Sequence, residues 1–244
     1  MIKVIVTGSK GRMGSQIVNM IKESKDLSLA AEVDIGGSLN EAISSADVVI
    51  DFTVPEASLR HAEMAARHAK AIVIGTTGFS AAQEATLRAA ARTVPVVCSP
   101  NMSAGVNVMW KLVETAAHAL GRQFKVDIVE THHVHKLDKP SGTAKRILDI
   151  VLKKSGRRLD KDVFFYEEET LPRKGEDMEV SVRSVRRGEI VGDHVIHFTS
   201  PGETISIQHH AGNRSIFAEG ALVATRWVVG KPAGLYDMGD VLGL

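Results

Sequence analysis

The stretch Glu130-Thr131-His132-His133-Val134-His135-Lys136-Leu137-Asp138-Lys139-Pro140-Ser141-Gly142-Thr143-Ala144 gathers groups that move protons beside groups that hold anions. Histidine exchanges protons near neutral pH. His132, His133 and His135 stand within a few residues of one another, and Lys136 adds a fixed positive charge. Pro140 then leads into Ser141-Gly142-Thr143 at an expected helix start, where unpaired backbone N–H groups form an anion site. A proton donor, a cation and an anion cradle this close together point to an enzyme acting on a small acidic substrate. Plainer readings exist for each residue. Adjacent histidines, here and at His209-His210, suit zinc, but neither a cysteine nor an HExxH spacing accompanies them, so no metal is expected. Lys136 alone reads as a surface lysine. His135 is given no role. Arg186-Arg187 reads as a solvated charged turn, or as a structural or substrate contact.

A second group of residues sits at strand ends. Ile2–Val6, Leu27–Val33, Asp47–Ile50, Ala71–Ile74 and Val94–Cys98 are apolar runs that read as strands. Helical patterns separate them: Met13, Ile17, Met20 and Ile21 recur at helical spacing, and Pro55–Ala69 and Ser80–Arg92 follow. Strands alternating with helices imply a parallel sheet covered on both faces. Gly8, Asp34, Thr53, Gly75-Thr76-Thr77 and Ser99-Pro100-Asn101 all follow the carboxyl end of a strand, the edge where such sheets bind ligands. Gly8-Ser9-Lys10-Gly11-Arg12-Met13-Gly14 is a G-x-x-G-x-x-G variant of the dinucleotide fingerprint. Asp34 lies 20 residues beyond Gly14, where an acidic side chain accepts from ribose hydroxyls.

After Ser103 the pattern changes. Val106 to Leu120 is an amphipathic helix, and Phe124–Thr131 alternates as a strand that delivers His132. Ile147, Ile150 and Val151 mark the helix that begins near Ser141. Met178–Val185, Ile190–Thr199 and Thr204–His210 alternate with period two. Ser215–Val229 reads as a helix before a short Gly-rich tail. The fold class expected is α/β: a Rossmann-like doubly wound parallel sheet with a second α+β domain built on a mixed sheet. The expected division is 1–103, with 214–244 returning to it, as the dinucleotide-binding domain, and 104–213 as the substrate-binding and oligomerisation domain.

Composition narrows the partners. The chain has 244 residues, 44% of them hydrophobic, and a formal net charge of +1. This balance gives no nucleic-acid footprint. No run of 18 apolar residues signals a membrane span. Met1-Ile2-Lys3-Val4 enters a strand directly, which reads as the absence of a signal peptide. The one cysteine, Cys98, fits a reducing cytoplasm and is expected in the core rather than as a nucleophile.

The chain resembles the 4-hydroxy-tetrahydrodipicolinate reductase (dihydrodipicolinate reductase) family from end to end. The resemblance rests on Gly8–Gly14 with Arg12-Met13, Asp51-Phe52-Thr53, Gly75-Thr76-Thr77-Gly78 and Ser99-Pro100-Asn101-Met102-Ser103-Ala104-Gly105-Val106-Asn107. It rests most on His132-His133…Lys136…Asp138…Pro140-Ser141-Gly142-Thr143-Ala144, joined by Ser184-x-Arg186-x-Gly188-x-x-x-Gly192-x-His194. The resemblance implies hydride transfer from NADH or NADPH to a cyclic imine carrying two carboxylates, in lysine and diaminopimelate biosynthesis. It implies His132 and Lys136 as the proton-transfer pair, His133 as a substrate contact, and Gly142 and Thr143, with Ser141 beside them, as the carboxylate cradle. It implies cofactor contacts at Gly8, Ser9, Lys10, Gly11, Arg12, Met13, Asp34, Gly75, Thr76, Thr77, Ser99, Pro100, Asn101 and Met102. It also implies a homotetramer, for which Val180, Val182, Ile196 and Ile207 are expected to offer apolar sheet faces, and the single cysteine makes a cytoplasmic location the expectation. One departure matters: many members carry an arginine after the ribose-binding acid, and Ile35 follows Asp34 here. NADH is therefore expected to serve at least as well as NADPH, with Lys10 and Arg12 the nearby cations.

Overall fold

The computed structural model describes residues 1–166 and 179–244. The chain divides into two compact units, Met1–Ala104 with Ser215–Leu244, and Gly105–Arg214. The first unit begins β1 (Ile2–Thr7), α1 (Arg12–Glu23), β2 (Leu27–Val33), α2 (Leu39–Ala42), β3 (Val48–Asp51), α3 (Pro55–Arg67), β4 (Ala71–Ile74), α4 (Ala81–Ala90) and β5 (Pro95–Cys98). The second contains α5 (Ala104–Leu120), β6 (Lys125–His132), α6 (Gly142–Ser155), α7 (Leu159–Asp162), β7 (Val163–Tyr166), β8 (Val180–Arg186), β9 (Gly192–Thr199) and β10 (Thr204–Ala211). The chain then returns to the first unit with α8 (Ser215–Val228), β11 (Gly234–Tyr236) and α9 (Met238–Leu242).

The first unit is a parallel sheet in the order β11-β5-β4-β3-β1-β2. Successive strand residues point to opposite faces, so each strand feeds two cores. Val4, Val6, Val48, Ile50, Val73 and Val97 pack with α1, α8 and α9. Ile5, Val49, Ile72, Ile74 and Val96 pack with α2, α3 and α4. Burial on both faces explains why these strands read as unbroken apolar runs. The Gly-rich tail carries more order than its composition suggests: Gly234, Leu235 and Tyr236 pair with Pro95, Val96 and Val97 and extend the sheet.

The second unit is a mixed sheet in the order β10-β9-β6-β8-β7. β6 pairs parallel with β8 and antiparallel with β9. Met178, the expected start of β8, lies outside the described residues. Val180, Val182 and Ile196 do not form the open face expected of them. They are buried against α5 and α6, and Ile207 packs at the margin of the same cluster. The reason is that two helices, not one, cover this side. The opposite side carries the alternate residues, among them Val129, Arg183, Val195, His197 and Gln208. Among the described residues no helix is long and apolar enough to cross a membrane.

Candidate active site

Sheet register assembles the chemistry of the second unit. Glu130 and His132 are two apart on β6 and share one face. Glu130 pairs with Ser184 on β8 and with His194 on β9, and His132 pairs with Arg186. Glu130 is fully buried and its carboxylate bonds His132 Nδ1. Arg186 grips the same carboxylate with two bonds, Nη1 to Oε2 at 3.0 Å and Nη2 to Oε1 at 2.9 Å. The Ser141 backbone N–H adds a bond to Oε1 at 3.2 Å. Burial pushes the Glu130 carboxyl up, but the bonds from His132, Arg186 and Ser184 outweigh it and hold the group down at about 2. A carboxylate on Nδ1 fixes the ring orientation and leaves Nε2 for chemistry. A Cβ at position 192 would lie 3.0 Å from His132 Nε2, so Gly192 makes room for the ring.

His194 stands edge-on to His132 at 5.2 Å between ring centres. Its Nε2 lies 3.2 Å from Ser141 Oγ, and its buried Nδ1 has no partner among the described residues. Burial, with the neighbouring His132, pushes its pKa down to about 3, so it stays neutral. Ser141 caps α6, accepting from the Ala144 N–H at 3.1 Å. Its N–H and hydroxyl are thus engaged internally, and its side chain is buried. Gly142 follows at the exposed start of α6, where an added Cβ would meet nothing within 4 Å. Thr143 is half-buried one residue on.

Lys136 lies in the loop between β6 and α6, its Nζ 2.7 Å from Asp138 Oδ1. His133 accepts from Arg214 at Nε2 over 3.3 Å, which assigns the proton of the neutral ring to Nδ1, a donor with no partner among the described residues. Burial and the Arg214 charge hold its pKa below the usual imidazole range. Lys136, the His133 donor and Arg214 are suited to a substrate bearing carboxylates. His135 is exposed beside Glu189 at 3.7 Å, and His210 pairs with Asp193 at 2.5 Å. Arg186 is not a solvated turn residue; its side chain is 10% exposed and wholly engaged. Sequence reading missed the roles of Glu130, His194 and Arg214. The spacing of Glu130 two before His132 was the available signal, whereas the other two come from strand pairing and chain return.

The first unit carries a crevice at the carboxyl ends of β1, β2 and β3. Gly8 has a φ of +71° and ends β1. A Cβ at Gly14 would lie 2.0 Å from the Gly8 carbonyl oxygen, so only glycine lets α1 approach the turn. Gly11 caps α1 without a side chain, leaving the first-turn N–H groups open to an anion. Asp34 accepts from the Lys10 N–H at 2.7 Å and the Ile35 N–H at 2.8 Å, bonds that lower its pKa. A cleft of about 770 Å³ is lined by Gly8, Gly11, Asp34, Thr53, Arg60 and His61, and these fit a dinucleotide. Lys10, Arg12 and Thr77 are exposed, and Met13 is half-buried. Gly75 is pressed against Phe52, whose ring a Cβ would strike at 2.2 Å. Beneath the crevice, buried Asp51 accepts from Thr7 at 2.7 Å, Ser58 at 2.5 Å, Thr53 at 2.9 Å and Thr76 at 3.1 Å, and bonds His61. Thr76 is therefore committed to this network. Ser99 bonds the Asn101 carbonyl at 3.0 Å, while Pro100 is exposed. Met102 sends its side chain into the core, leaving only its backbone for a cofactor. Burial pushes the Cys98 thiol up to about 11, as expected of a packed cysteine rather than a nucleophile.

Comparison with known proteins divides the chain at the same point after β5, with the second match running on through the segment that returns to the first unit. Residues 2–102 match the family model "Dihydrodipicolinate reductase, N-terminus", and residues 105–242 match "Dihydrodipicolinate reductase, C-terminus". The 4-hydroxy-tetrahydrodipicolinate reductase of Syntrophotalea carbinolica is 42% identical over 267 residues, covering 100% of both chains. That of Syntrophus aciditrophicus is 43% identical over 266 residues, covering 100% of this chain and 99% of its own. The dipicolinate-bound dihydrodipicolinate reductase from Paenisporosarcina sp. TG-14 superposes with a TM-score of 0.80 at 25% identity, over 97% of each chain. With its two halves matched in order and its full-length relatives alike in name, the chain belongs to the dihydrodipicolinate reductase family.

Proposed function

We propose that this chain reduces 4-hydroxy-tetrahydrodipicolinate to tetrahydrodipicolinate in lysine and diaminopimelate biosynthesis, with His132 and Lys136 as its proton-transfer groups. The bound nicotinamide nucleotide supplies the hydride. Hydride adds at ring C4, the carbon that loses its hydroxyl as water, and the resulting enamine takes one proton. The observation that carries the reading is the row of Glu130, His132 and Arg186 beside Lys136 and the open start of α6. Glu130 holds the His132 ring so that Nε2 can exchange a proton. Lys136 exchanges Asp138 for a substrate carboxylate and offers its ammonium as donor. The Gly142 and Thr143 backbone and the His133 Nδ1–H receive the ring carboxylates.

For the nucleotide, we propose contacts from Gly8, Ser9, Lys10, Gly11, Arg12 and Met13 to the phosphates and Asp34 to the ribose. Gly75, Thr76, Thr77, Ser99, Pro100, Asn101 and Met102 approach the nicotinamide half. Asp34 opposes a 2′-phosphate, and Ile35 is fully exposed with no countercharge. Arg60, which sequence reading did not consider, lines the same cleft. NADH is therefore proposed to serve at least as well as NADPH, with Arg60 keeping NADPH acceptable. We also propose a homotetramer that joins through the side of the mixed sheet opposite α5 and α6. The test of the activity is oxidation of NADH and of NADPH with and without the cyclic imine. Imine-dependent oxidation is expected, and none with either nucleotide would reject the reading.

A further inference from the structure

We propose that Arg186 is a positioning residue that ties the two proton-transfer groups together, fixing His132 through Glu130 and Lys136 through the loop backbone. The inference rests on the reading that His132 and Lys136 carry the proton transfer. A guanidinium has five N–H donors in a rigid fork. In this structure all five are committed. Nη1 bonds Glu130 Oε2 at 3.0 Å and the Val185 carbonyl at 2.7 Å. Nη2 bonds Glu130 Oε1 at 2.9 Å and the Asp138 carbonyl at 2.6 Å. Nε bonds the Lys136 carbonyl at 3.1 Å.

This arrangement excludes one role and assigns another. With no donor left over, Arg186 has nothing to offer a substrate carboxylate, although its charge and its place in the site would suggest that use. Its bonds instead converge on the supports of the two reacting side chains. The paired bonds to Glu130 aim that carboxylate at His132 Nδ1. The bonds to the Lys136 and Asp138 carbonyls pin the loop on both sides of Leu137, which sets where the Lys136 ammonium stands. One planar group thus fixes the spacing between a ring on β6 and an amine on a loop. Lysine cannot replace it, because a single ammonium has three donors and no fork.

The test compares Arg186→Lys and Arg186→Ala with the unmodified protein, and with His132→Ala and Lys136→Ala as controls. Misplacing a catalytic group by about an ångström costs on the order of a hundredfold in rate, so kcat should fall by about that factor in both Arg186 variants. NADH affinity, read by fluorescence titration, should not change, since the nucleotide cradle is built from other residues. Added guanidinium ion should restore part of the activity of Arg186→Ala and none of His132→Ala. Unchanged kcat in Arg186→Lys would overturn the proposal. So would a joint loss of kcat, NADH affinity and thermal stability in Arg186→Ala without guanidinium rescue, which would mark a purely structural residue. A separate check is the histidine side-chain 15N spectrum: Arg186→Lys should alter the His132 ring signals, and an unaltered ring would also overturn the proposal. If the His132→Ala and Lys136→Ala controls keep full kcat, the underlying reading fails instead, whatever Arg186 does.

Discussion

The two proposed recognition events each rest on single residues, and each gives a test. A Cβ at Gly142 would meet no described atom within 4 Å, so a larger side chain there is expected to obstruct what binds rather than the fold. Gly142→Val should raise KM for the imine at least tenfold, the scale of roughly 1.4 kcal/mol of lost binding, while NADH affinity holds. Thr143→Val should raise it less. Equal losses for both ligands would place the effect in folding. At the other site, Ile35→Arg should shift the kcat/KM ratio toward NADPH by about tenfold, since an exposed guanidinium contributes less than a buried one. A strong NADPH preference in the unmodified protein would mean that Arg60, Lys10 or Arg12 already outweighs Asp34. The histidines, Lys136 and the glycine turn were legible because their types and spacing are unusual. Arg60 was not, because a helix-borne arginine looks alike whether it faces a cleft or solvent.

At the scale of elements, the alternation of strands and helices exposed the parallel sheet, since strands buried on both faces must be apolar throughout. The short β7, β11 and α9 were hidden. Three to five residues carry too little periodicity, and β11 gains its order from pairing with β5 and from packing of Tyr236. The apolar face of β8 and β9 was visible as a pattern, but whether α5 and α6 or another copy covers it depends on packing. The row across β8, β6 and β9 has a consequence for stability. His194 has a folded pKa lowered from 6.5 to about 3, so the stability linked to it is complete above pH 6.5 and is lost as pH falls toward 3. Glu130, lowered from 4.5 to about 2, adds loss over the range below 4.5. Thermal unfolding measured against pH should therefore show Tm declining from about pH 6.5 downward. His194→Gln should make the decline between pH 6.5 and the carboxylate range shallower, leaving the part due to His133 and His209, whose pKa values are also lowered, and an unchanged profile would show that His194 does not contribute.

The whole molecule joins a unit whose crevice fits a dinucleotide to a unit with the proposed proton-transfer site, and the proposed assembly uses the side of the mixed sheet opposite α5 and α6. Light scattering at micromolar concentration should give four times the chain mass; a monomer would contradict the tetramer. The central claim is that His132 and Lys136 drive reduction of the cyclic imine. It is tested most directly by the imine-dependent kcat of NADH oxidation in the unmodified protein, His132→Ala and Lys136→Ala. Loss of a general acid–base group should lower kcat by about 10²–10⁴ in each variant at undiminished NADH affinity. Full kcat in both variants would contradict the account.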